Sequence, residues 1–98
     1  MNAGFHSESG ILTLIMEQIL QLYNANKLSE ALSQLDKLPV DSETLYMKGK
    51  ILWKQGQRTQ AMAAYAQSVE LNPDSPAAIA LQQARQIMDF YNKDLYNP

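Results

Sequence analysis

Apolar residues in this chain recur at helical spacings, and no stretch alternates with the period of two that a half-buried strand requires. The first helical stretch covers residues 11–25. One stripe runs through Leu12, Ile15, Ile19 and Leu22, and a second beside it through Met16, Leu20 and Tyr23. Asn-Ala-Asn-Lys at 24–27 breaks the pattern, and Asn26 tolerates the left-handed conformation of a helix stop. Ala31, Leu32, Leu35 and Leu38 then share one face of a second helix, residues 28–38, which Pro39 ends. Asp41 or Ser42 caps a third helix over 42–55, and Gly56 stops it. A fourth runs from 58 to 71. Ser75 as N-cap and Pro76 at the first helical position open a fifth over 76–91. Its apolar side carries Ala77, Ala80, Leu81, Ala84, Ile87, Met88 and Tyr91. Residues 1–10 read as a flexible N-terminal tail and 92–98 as an irregular C-terminal one.

The connections between these helices are short, so consecutive helices should pack antiparallel. The pattern also repeats. Asn26, Ala31 and Leu35 recur as Gly56, Ala61 and Tyr65, each shifted by 30 residues. A period of this size marks stacked helical pairs.

Residues 42–75 resemble a tetratricopeptide repeat, a 34-residue helix–turn–helix unit. Gly49, Gly56, Ala61, Tyr65 and Pro73 stand where that family's pattern wants them, whereas Leu45, Lys48 and Leu52 depart from it. Each match has a physical role. Small residues at Gly49 and Ala61 suit a close approach of two helices, Gly56 suits a chain reversal with positive φ, and Tyr65 suits the space before the next unit. Pro73 cannot continue a helix and turns the chain onward. Residues 11–41 resemble a degenerate first repeat, with Ala31 at the small position and Leu35 in place of the aromatic. Residues 76–91 resemble the capping helix after a last repeat, with Gln82, Gln83, Arg85, Gln86 and Asp89 on a polar side. The resemblance implies an all-α, right-handed stack of two antiparallel hairpins plus a C-terminal capping helix, occupying residues 11–91.

It also implies a binding mode, in which a peptide or partner helix lies in the concave groove lined by the first helix of each pair. On this chain the lining would be Thr13, Met16, Leu20, Tyr23 and Asn24, then Glu43, Tyr46, Lys50, Trp53 and Lys54. These form an apolar and aromatic strip with two lysines beside it. The same strip could pack against the capping helix, so both an open groove and a covered one are consistent with the sequence. Chaperone adaptors of this family clamp a C-terminal carboxylate with Lys, Arg and Asn. The corresponding positions here hold Met16, Leu20, Met47, Ala77 and Leu81, so such an adaptor is disfavoured.

Composition narrows the function further. A chain of 98 residues makes one domain at most, and with no cysteine it has neither disulfides nor thiolate chemistry. Net charge −2, with eight basic residues spread along the chain, argues against nucleic-acid binding. The basic cluster at 48–58 reads as a solvated helix face, with an anion site as the alternative. No signal peptide and no apolar run long enough to span a bilayer is visible, which suggests a cytoplasmic protein without membrane contact. His6, the one histidine, falls in the N-terminal tail, and the carboxylates Glu17, Glu30, Glu43, Glu70 and Asp74 are scattered at helix surfaces and ends. No phosphate loop, dinucleotide fingerprint or metal-ligand spacing appears, so neither a cofactor nor catalysis is expected. The expected function is a non-catalytic module that binds another protein or peptide. A homo-oligomer, self-associating through the apolar strip, is the alternative.

Overall fold

Five helices follow one another in a computed structural model that describes the backbone of residues 2–96 and the side chains of residues 10–90. They are α1 (Asn2–Asn24), α2 (Leu28–Leu35), α3 (Ser42–Lys54), α4 (Arg58–Leu71) and α5 (Ala77–Tyr96), with no strand among the described residues. The fold class is all-α, as the pattern predicts. Two compact units divide the chain, residues 1–38 and residues 39–98.

Two helical bounds differ from expectation. α1 takes in residues 2–10, and α5 continues past 91 to Tyr96. No proline lies inside either span, and Gly10 costs a helix only about 1 kcal/mol relative to alanine, too little to stop a cooperative element. The side chain of His6 and residues 97–98 lie outside the described residues.

In the first unit α1 pairs with α2. Ile19, Ala31 and Leu35 are its buried apolar residues. Leu12, expected in the core stripe, is 45% exposed. The reason is length: α1 has 23 residues and α2 only 8, so the N-terminal half of α1 extends beyond its antiparallel partner.

The second unit packs α3 on α4 and α4 on α5. Both hairpins of the chain reverse through the same turn. Asn26 (φ 64) and Gly56 (φ 86) adopt the left-handed conformation. Around Asn26, its N–H donates to Tyr23 O at 3.0 Å and the Lys27 N–H to Leu22 O at 2.8 Å. Around Gly56, its N–H donates to Trp53 O at 3.0 Å and the Gln57 N–H to Leu52 O at 2.9 Å. This is the Schellman arrangement, which satisfies two helix-end carbonyls at once. The 30-residue repeat is therefore a repeat of backbone geometry as well as of residue type.

α3 starts at a capping box. Asp41 accepts from the Thr44 N–H at 2.8 Å, and the Thr44 hydroxyl accepts from the Asp41 N–H at 2.9 Å. Asp41, not Ser42, is thus the cap. Ser42 does something else. The hydroxyl of Ser68 donates to the Ser42 carbonyl at 2.6 Å, and the Ser42 hydroxyl lies 3.0 Å from Ser68 Oγ. Ser68 Oγ is also 2.8 Å from Ser75 Oγ, which accepts the Ala77 N–H at 3.1 Å. A hydroxyl has one proton. With that of Ser68 given to Ser42 O, Ser75 must be the donor to Ser68. Three serines so join the start of α3, the end of α4 and the start of α5. Ser68 and Ser75 are buried, and no buried side-chain polar atom among the described residues lacks a partner.

Candidate partner-binding groove

The second unit is where the motif residues converge. Tyr65 of α4 is buried with Ala77 and Leu81 of α5, and Tyr46 of α3 packs against this cluster. The Tyr46 and Tyr65 rings lie 6.1 Å apart and tilted by 39°. A Cβ added at Gly49 would overlap Cδ1 and Cε1 of Tyr65. Gly49 is therefore small to admit the Tyr65 ring, a more specific reason than a general approach of helix backbones. Ala61 is fully buried, in keeping with its small size.

Beside this core a groove of about 160 Å³ opens between helices of the unit, lined by Trp53, Tyr65, Ala80, Gln83, Ala84 and Ile87. Its volume is close to that of an engineered cavity of about 150 Å³ able to hold benzene. The groove can take one apolar side chain. Ile87, expected on the apolar side of the fifth helix, is 41% exposed because it forms the rim.

Arg58, the first residue of α4, places its guanidinium carbon 5.1 Å from the centre of the Trp53 ring. Lys50 Nζ lies 5.5 Å from the centre of the Tyr46 ring. Cations at such distances over aromatic faces are attracted by the ring quadrupole. Of the residues read as groove lining, Tyr46, Lys50 and Trp53 are half-buried and Lys54 is exposed. The two readings of the aromatic strip divide between its members. Tyr46 packs towards the α4–α5 core, and Trp53 borders the open groove. Met16 and Tyr23 are half-buried and Leu20 exposed on α1, in the first unit.

The α5 wall, Ala80, Gln83, Ala84 and Ile87, was not among the residues singled out from sequence, because the register of the fifth helix against the repeat pattern is ambiguous. The serine network was missed as well: Ser42 and Ser68 are 26 positions apart, and isolated serines carry no burial signal.

Residues 42–75 match the family model of the tetratricopeptide repeat. The chain carries a tetratricopeptide repeat. It comprises α3, α4 and the turn that leads to α5, about a third of the sequence. No curated protein and no solved structure matches the chain. Tetratricopeptide repeats serve in general as protein–protein interaction modules. No helix among the described residues is long and apolar enough to cross a membrane, and no cluster of His, Asp or Glu among them could hold a metal ion.

Proposed function

We propose that the protein is a non-catalytic interaction module whose repeat docks a peptide or a helix of another protein. The observation that supports this reading is the groove between Trp53 of α3 and Ala80, Gln83, Ala84 and Ile87 of α5. It combines an apolar floor with an aromatic wall, and aromatic residues are enriched where interface energy concentrates. Tyr46, Lys50 and Lys54 extend the surface along α3. Met16, Leu20 and Tyr23 offer a further contact strip on α1. A single anchoring notch makes a small interface of modest affinity.

A photo-crosslinking residue at Gln83, on the groove wall, tests this against the same residue at Gln67, exposed on α4. Crosslinks to a discrete partner from position 83 and none from 67 are expected. Equal crosslinking from both positions, or none from 83, overturns the reading.

A second reading, self-association, is favoured by apolar residues that stay uncovered on both units. Ile11 and Leu14 of α1 are 56% and 59% exposed, and Ile79 and Phe90 of α5 are 62% and 71% exposed. Sedimentation of the purified chain over a range of concentrations separates the readings, because self-association alone raises the mass with concentration when no partner is present.

A further inference from the structure

Charge in the second unit is sorted into blocks. Residues 44–69 contain Lys48, Lys50, Lys54 and Arg58 and no acidic residue, although the whole chain has net charge −2. Asp41 and Glu43 precede this stretch, and Glu70 and Asp74 follow it. Because α3 and α4 run antiparallel, Lys54 and Arg58 gather at the hairpin turn, with Lys50 one helical turn before Lys54. The four carboxylates collect at the opposite end.

Helix stability accounts for only part of this order. Glu43 in the first turn of α3 and Lys54 in its last turn both suit the helix dipole. α4 is reversed. It opens on Arg58 with no acidic residue in its first turn, and it carries Glu70 near its end with no basic residue in its last. Those placements oppose the dipole of their own helix. The basic block therefore needs another reason, and its position suggests one. Arg58 lies over Trp53, which lines the groove. Lys50 lies over Tyr46, whose ring neighbours that of Tyr65, also in the groove. Lys54 follows Trp53 directly and is exposed.

We infer that the groove takes an acidic peptide segment, with one apolar side chain in the notch and Asp or Glu residues on the side of the hairpin turn. Charge complementarity selects this occupant. Opposed charges around an apolar anchor set specificity and the rate of encounter more than raw affinity. Glu43 stands seven residues before Lys50 on α3, so the opposite end of the groove offers acidic residues no such attraction. Nucleic acid suits the site less well, because the two alanines and the isoleucine of α5 offer its bases no stacking surface. The inference rests on the groove being the docking surface and adds the chemistry of what docks there.

The test is affinity selection from a synthetic library of short random peptides on the full chain. Their C-termini are amidated, so that no terminal carboxylate contributes. Selected peptides are then titrated singly, read by the fluorescence of Trp53, the only tryptophan in the chain. The expected result is enrichment of sequences with an apolar residue beside two or more carboxylates. Their binding should weaken on the order of tenfold in the double variant Lys50→Glu/Lys54→Glu. If that variant does not fold, Lys54→Gln at an exposed position should give a smaller loss of the same sign. Enrichment of neutral or basic peptides overturns the charge inference and leaves the groove reading standing. No enrichment at all overturns both. Tighter binding of a short single-stranded RNA than of any selected peptide overturns the inference in favour of nucleic acid.

Discussion

At Gly49 the space of a side chain is already filled by another residue. The Tyr65 ring occupies the position of the missing Cβ, and Tyr65 is itself held by Ala77 and Leu81. Gly49→Ala should lower stability by about 1–3 kcal/mol through overpacking, despite alanine's higher helix propensity. Urea denaturation measures it, and an unchanged midpoint would mean the ring moves aside freely. Gly56 has the opposite character: nothing lies within 4 Å of an added Cβ, but its φ of +86° is strained for any side chain. Gly56→Ala should cost about 1–2 kcal/mol from backbone strain alone. At the equivalent turn Asn26→Gly relieves a milder strain, so a rise below about 1 kcal/mol is expected. The pair tests whether two turns with the same hydrogen bonds respond to the same principle with opposite signs.

Among elements, the ends of α3, α4 and α5 are tied by Ser42, Ser68 and Ser75. Ser68→Ala removes a hydroxyl that serves both neighbours and leaves their groups buried without a partner. The expected loss is about 1–3 kcal/mol, or on the order of 4–20 °C in the melting temperature of a domain this small. Calorimetry reads it; a shift under a degree would show that water substitutes for the hydroxyl. This element-level device was invisible in the sequence, and the contrast with the turns is instructive. Asn26, Gly56 and Pro73 act on the chain beside them, so local chemistry reveals them. Ser42 and Ser68 meet only after α3 and α4 have packed. The groove stands between these cases. Trp53 was legible through its place in the repeat, whereas Ile87 read as one more apolar residue of the last helix. Its exposure depends on how α5 rotates against α4, which helical periodicity does not fix.

For the whole molecule, the two units are unequal in what they can bury. Residues 39–98 enclose a core running from Leu45 to Ala84, while residues 1–38 offer one long helix against a short one. A two-helix unit of 38 residues falls below the size at which a chain usually folds without disulfides or metals. The isolated segment 39–98 should therefore retain helical circular dichroism and a cooperative melt, and the isolated segment 1–38 should show neither. A cooperative melt for 1–38 alone would require a core beyond Ile19, Ala31 and Leu35.

The reversed charges of α4 carry a consequence for how the protein responds to its solution. Arg58 and Glu70 each oppose the dipole at their end of the helix, an effect worth about 0.3–1 kcal/mol at an exposed position and weakened by salt. Raising the ionic strength should therefore strengthen α4, while it weakens the attraction of Lys50, Lys54 and Arg58 for an acidic partner. Folding and docking then answer salt with opposite signs, so the ionic conditions in which the chain is most stable are those in which it holds its partner least.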